Sequence, residues 1–322
     1  MSGFGAHVLD LDTEREIERL CSWIREIVRK RLGRRGAVVA LSGGIDSSVV
    51  GALCVRALGP KRVFGLLLPE HDSSDNTTRL GQELVAHLGI DSRTEPISPI
   101  LEGADCYQRR DDAIRMTLPQ YDSDWKNKIV LPPATEGTYR IFQLVAQDPI
   151  GNEYRERMSS DSYLGVVAAT NFKQRSRKMI EYYWADRLVY AVAGTPNRLE
   201  FDQGFFVKGG DGLADFKPIA HLYKTQVFAL AAALGLPEEI QQRAPTTDTY
   251  SLPQSQEEFY FSLPWQRMDL ALWAYDHDVS SQEAAGPLEI SPEQVDFVYR
   301  DIENKRKVAA YLNASAELPP QS

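Results

Sequence analysis

Apolar residues recur at three- and four-residue steps over residues 13–32 (Ile17, Leu20, Ile24, Ile27, Val28, Leu32), which predicts a helix with one buried face. Arg25, Arg29, Lys30 and Arg31 fall between them as a solvated face, and Gly33 is the stop. The pattern then changes. Residues 37–41 are an unbroken apolar run that ends in Ser42-Gly43-Gly44, and residues 47–58 read as a helix. A second apolar run, 63–68, reads as a buried strand, followed by a polar loop over 70–76 and a helix to about residue 88. Strand, helix, strand, helix at this spacing predicts a parallel sheet whose ligands bind beyond the carboxyl ends of its strands.

Residues 105–157 mix polar, aromatic and proline positions without sustained period and read as an inserted, partly ordered excursion. Helical pattern resumes over 160–188, residues 190–194 offer another strand, and 223–234 form a helix ended by Gly235 and Pro237. Residues 246–262 read as a mobile loop, and 263–322 as a helical extension whose last helix spans 292–312. The expected fold is therefore a doubly wound α/β domain, with a mostly parallel sheet between helices on both faces.

Composition narrows this picture. The 322 residues carry a formal net charge of −9, which argues against non-specific nucleic-acid binding but leaves room for a local basic pocket. Cys21, Cys54 and Cys106 form no CxxC pair and the five histidines no HExxH spacing, so neither a zinc ribbon nor a zincin site is indicated. The first ten residues lack a basic start followed by an apolar run, and no apolar stretch approaches the ~20 residues of a membrane span. The expectation is a cytoplasmic protein.

The strongest chemical signal is Ser42-Gly43-Gly44-Ile45-Asp46-Ser47-Ser48 at a strand-to-helix junction. Glycines admit an anion close to the backbone, the helix start offers unpaired N–H groups, and the hydroxyls add donors. Asp46 in such a cradle calls for a magnesium ion between itself and phosphate. The spacing is not GxxxxGK[ST], which excludes the common nucleoside-triphosphatase loop.

This segment resembles the SGGxDS signature of the ATP pyrophosphatase superfamily. In the second half come Asn171-Phe172-Lys173-Gln174-Arg175-Ser176-Arg177, Gly194-Thr195-Pro196-Asn197-Arg198-Leu199-Glu200, and a glycine-rich stretch holding Lys208 and Gly209-Gly210-Asp211-Gly212. Asp215-Phe216-Lys217-Pro218-Ile219 and Leu222-Tyr223-Lys224-Thr225-Gln226 follow. This order resembles the ammonia-dependent NAD synthetases, over residues 37–88 and 160–246, with a weaker echo near Lys305.

The resemblance implies an adenine nucleotide alpha-hydrolase-like fold and roles for named residues. Ser42, Gly43, Gly44, Asp46, Ser47, Ser48, Thr195, Lys224 and Thr246 would contact ATP, and Asp46 and Glu200 would hold Mg2+. Arg175, Lys208, Asp215 and Lys305 would contact deamido-NAD, and Asp46, Lys208 and Lys224 would be the catalytic set. It also implies a homodimer that takes ammonia free or from a separate glutaminase, no attached glutaminase being visible. Taken singly, Lys224 could be a solvated helix lysine, Glu200 a surface carboxylate and Asp215 a helix cap. Two positions depart from the family pattern: Ser255-Gln256-Glu257 stands where its acidic Ser-Asp-Glu does, and Asn304 replaces a histidine beside Lys305. Rival readings are a ligase on the same scaffold acting on another carboxylate, a tRNA-modifying relative, and a non-catalytic nucleotide-binding regulator.

Overall fold

The computed structural model describes residues 3–131, 142–246 and 249–319. Its central sheet has four parallel strands in the order β3-β2-β1-β7, from β1 (Ala37–Ala40), β2 (Val63–Leu67), β3 (Asp91–Thr94) and β7 (Ala191–Val192). β1 lies at the centre and pairs in register with β2 (Ala37 with Val63) and with β7 (Ala37 with Ala191).

Alternation along β1 shows how both sheet faces are buried. Ala37 and Val39 enter a core with α1 (Thr13–Glu26), α2 (Ile45–Leu58), α3 (Asp75–Leu88) and α8 (Lys224–Ala233). Val38 points the other way, into a core with α4 (Ser98–Gly103), α5 (Cys106–Arg115) and the long α6 (Ser160–Leu188). A strand apolar on both faces reads as an unbroken hydrophobic run, which is why 37–41 was recognisable. α1 continues into a π-helical turn, Ile27–Arg31, before Gly33 turns the chain at φ 62°.

The 105–157 segment departs from the expected excursion. It holds α5 and a three-stranded antiparallel sheet, β4 (Lys126–Val130), β5 (Gln143–Gln147) and β6 (Glu153–Arg157), with residues 132–141 outside the description. Ile114, Leu118, Tyr121, Ile129, Leu144 and Ala146 form its own small core against Val166 of α6. Beyond β7 come the short α7 (Arg198–Gln203) and α9 (Glu238–Gln242). The last part carries α10 (Gln256–Phe259), α11 (Trp265–Asp276), α12 (Ser281–Leu288) and α13 (Pro292–Asn313), and α7 and α11–α13 share a further core. No helix among the described residues is long and apolar enough to cross a membrane.

Candidate active site

A cavity of about 650 Å³ opens at the carboxyl ends of β1, β2 and β7, where parallel sheets place ligands. The turn after β1 forms one wall. Gly43 has φ 65°, and a Cβ there would lie 2.6 Å from Leu80 Cβ and 3.0 Å from Gly81 N, so only glycine lets α3 pack this close. Ser42 Oγ accepts from Gly44 N (3.3 Å) and meets Ser47 Oγ (3.2 Å), while Ser47 and Ser48 hydroxyls donate to Gly44 O at 3.1 and 2.8 Å. These bonds hold the turn against the start of α2, whose first N–H groups lack partners within the helix.

Three charged side chains meet beside this turn. The buried Lys224 ammonium, on the first residue of α8, donates to Asp46 Oδ2. Asn197 Nδ2 donates to Asp46 Oδ1 at 3.1 Å, and Asn197 with Glu200 forms a reciprocal capping box at the start of α7. Burial first, then the Asp46 charge, raise the Glu200 pKa to about 7 against the opposing pull of Lys224, Gln256 and the Asn197 N–H. Burial acts to lower the Lys224 pKa, but Asp46 and Glu200 outweigh it, so the value ends above the usual lysine range and the group stays charged.

The backbone beneath Lys224 is fixed from a distance. Asp269 of α11, fully buried, accepts from Lys224 N (3.1 Å), Thr225 N (2.7 Å) and Thr225 Oγ1 (2.7 Å), capping α8. Burial raises the Asp269 pKa to about 6 despite these bonds.

The cavity's cations, Arg175, Arg177, Lys178, Lys208, Lys224 and Arg243, outnumber its carboxylates, Asp46, Glu181, Glu200 and Asp211. A chain of net charge −9 thus encloses a locally positive cavity, the environment a phosphorylated ligand needs. Arg175 Nε donates to Lys208 O at 3.3 Å. Lys208 Nζ donates to Tyr311 O at 2.8 Å and lies over the Tyr311 ring.

The chain matches the NAD synthase family model over residues 16–119 and 139–309. It belongs to the NAD synthase family. An "NH(3)-dependent NAD(+) synthetase" from Mesorhizobium japonicum is 53% identical over 308 residues, covering 95% of this chain and 97% of its own. Among solved structures, an NMN synthetase from Francisella tularensis superposes with a TM-score of 0.66 at 22% identity, covering 96% of this chain and 99% of its own. An NH3-dependent NAD synthetase from Campylobacter jejuni gives 0.63 at 22% identity, covering 96% and 100%. At these identities the two structures speak for the fold alone.

Against that family frame, most of the residues expected at the site do line the cavity: Ser42, Gly44, Asp46, Ser47, Arg175, Thr195, Glu200, Lys208, Lys224 and Thr246. Gly43 faces α3 instead, and Ser48 is buried behind the turn. Asp215 and Lys305 do not line it. Asp215 accepts from Val192 N (2.7 Å) and Tyr182 Oη (3.2 Å), which ties it to β7 and α6. Lys305 donates to Tyr260 O and Asp301 Oδ2, both at 2.7 Å.

Sequence reasoning passed over Arg243, which donates to Thr77 Oγ1 (2.9 Å) and Ser42 O (3.4 Å), and Asp269; it marked Gln256 only as a departure from the family pattern, without its contact to Glu200. Asn197 was legible, since Asn-x-x-Glu ahead of an apolar position is a capping-box signal. The family match breaks only over residues 120–138, a narrower gap than 105–157.

Proposed function

We propose that this chain amidates the nicotinate carboxylate of deamido-NAD with ammonia, converting ATP to AMP and pyrophosphate. The observation that carries the reading is the meeting of a glycine turn at a helix start, a buried lysine and two carboxylates in one positive cavity. Relatives named "NH(3)-dependent NAD(+) synthetase", aligned along almost the whole chain, support it.

A carboxylate resists nucleophiles, so it is first activated. Its oxygen attacks the α-phosphorus, the bond to the β-phosphate oxygen breaks, and pyrophosphate departs. The ammonia lone pair then attacks the acyl carbon, the bond to AMP breaks, and one ammonia proton is lost to leave the amide. In this reading Ser42, Ser47 and the first N–H groups of α2 bind phosphate oxygens, and Thr195 and Thr246 hold the nucleotide. Lys224, kept charged by its neighbours, compensates negative charge as pyrophosphate leaves. Arg175 and Lys208 bind the phosphates of the dinucleotide.

Asp46 and Glu200 suit a magnesium ion: they are hard oxygen donors set close enough that the charge of one raises the cost of ionising the other. Two protein carboxylates leave the remaining positions to water and phosphate, as this cation prefers, and the bound ion would neutralise charge on the leaving pyrophosphate. Catalysis here is positioning and charge compensation.

Three further assignments go with the reading. The protein works in the cytoplasm, in keeping with three buried free thiols. It is a homodimer, in which the exposed Leu164, Met179 and Tyr183 on one side of α6 are covered. Its ammonia comes free or from a separate glutaminase.

The test is to incubate the protein with magnesium-ATP, ammonium and deamido-NAD and to quantify NAD, AMP and pyrophosphate, with Asp46→Ala as the blank. Equal NAD and AMP, absent from the blank, is the expected outcome. AMP formed with nicotinate mononucleotide but not with deamido-NAD would move the assignment to another carboxylate. No AMP with either, from folded protein, would end the ligase reading.

A further inference from the structure

The inserted sheet does something the proposed reaction has not yet used. β4 is an edge strand, and its outer edge is covered by residues 249–260, the segment that runs over the cavity. Asn127 N donates to Ser251 Oγ at 2.8 Å, and Leu252 N returns a bond to Asn127 O at 3.1 Å. Gln254 Nε2 donates to Ile129 O, and Leu131 N to Glu258 O at 2.7 Å. Lys128 Nζ bonds both Pro253 O (3.1 Å) and the Glu258 carboxylate (3.0 Å). The last two anchors bracket residues 253–258, so they fix the start of α10.

That start carries Gln256. Ser255 caps α10 through a reciprocal box with Glu258, the carboxylate Lys128 grips, and the Gln256 amide then donates to Glu200 Oε1 at 3.0 Å. A continuous set of bonds thus runs from the inserted sheet to one carboxylate of the candidate site. From the other side, Lys173 of α6 donates to Thr249 O at 2.7 Å while pairing with Glu70 (3.0 Å) and Asp72 (2.5 Å) in the loop after β2.

Where the family pattern has an acidic residue this chain places an amide, and an apolar side chain at position 256 would leave Glu200 Oε1 without this donor. An amide donates without adding charge.

We propose that Gln256 is a positioning residue for Glu200, and that β4, through Lys128, is the dock that holds residues 249–260 so that Gln256 reaches it. The role of Glu200 rests on the function proposed above; the docking of the segment does not. The inserted sheet is accordingly a scaffold for the active site.

The experiment uses the full chain and three variants, Gln256→Leu, Lys128→Met and Lys128→Arg. Magnesium-ATP is titrated calorimetrically without the second substrate, and hydrogen exchange is followed over residues 249–260. Loss of a bond to a charged group gives an expected weakening of about tenfold for Gln256→Leu, with native exchange over residues 249–260. Lys128→Met weakens binding and speeds exchange of 249–260 by about tenfold or more, and Lys128→Arg restores both. Native exchange in Lys128→Met overturns the dock, and affinity within about twofold of native in Gln256→Leu overturns the positioning role. If the unaltered protein fails to bind magnesium-ATP, the proposed function and the positioning role fall together, while the exchange comparison still decides the dock.

Discussion

Replacing Glu200 by glutamine should stabilise the protein while abolishing its activity, and the stabilisation should depend on pH. Glu200 ionises in the fold at about 7 and at 4.5 in its ordinary state. Its folded-state value is raised, so between these two values the native state holds a proton that the unfolded chain has released. Stability from this group is therefore fully present below 4.5, falls as pH rises, and is lost above 7. The two values correspond to at most about 3 kcal/mol. Glutamine removes the ionisation and keeps the bonding, since its oxygen can accept from Asn197 N and its amide can face a turned Gln256 amide. The assay is urea unfolding of both proteins at pH 5, 7 and 8.5. The variant should be more stable by about 2–3 kcal/mol at pH 8.5, with the difference shrinking towards pH 5. Asp269 titrates in the same direction and is common to both, so it cancels in the comparison. A difference that does not change with pH, or one favouring the native carboxylate at pH 8.5, would refute the reasoning.

Gly43→Ala should cost about 2–4 kcal/mol, combining left-handed backbone strain with overlap against α3; denaturant unfolding checks it, and a loss under about 1 kcal/mol would contradict the close approach to Leu80. Asp269→Ala leaves the Lys224 and Thr225 N–H groups without their acceptor and should cost about 2–4 kcal/mol while weakening ATP binding, measured by unfolding and by titration. Met179→Asp with Tyr183→Asp places charge on the exposed apolar side of α6 and should convert a dimer to a monomer in light scattering; an unchanged mass argues for another interface.

What could be read from the chain follows how local each signal is. β1, its glycine turn, α6, α8 and α13 announce themselves within a dozen residues through apolar runs, periodicity and caps. β3 does not, because Asp91–Thr94 is an edge strand with all four residues exposed and no apolar side to display. The inserted sheet was missed for a different reason. β6 alternates only weakly, as Glu-Tyr-Arg-Glu-Arg, but the turn before it carries a usable signal: Asp148 accepts from Ile150 N and Asn152 N, and Gly151 takes φ 95°. Asp148-Pro-Ile-Gly-Asn152 between two short strand patterns was turn chemistry that outweighed the absence of period.

The site divides in the same way. Motif order joined Asp46, Glu200 and Lys224 although 178 positions separate the first from the last. It could not supply Asp269, 45 positions beyond Lys224, and it marked Gln256, 56 beyond Glu200, only as a departure from the family pattern, since neither contact leaves a trace in local pattern. These two residues have a common character. Each satisfies a group that the fold has buried at a cost: Asp269 the first N–H groups of α8, Gln256 the carboxylate of Glu200. Burial raises the pKa of Glu181, Glu200 and Asp211 in the cavity wall, and of Asp269 beneath Lys224. A surface selected only for stability would not gather buried acids around one opening, because burying an ionised carboxylate costs more than its pairings return. Held among more numerous cations, these acids mark a site kept for a ligand, and their concentration at the ends of β1, β2 and β7 points to the chemistry independently of any motif.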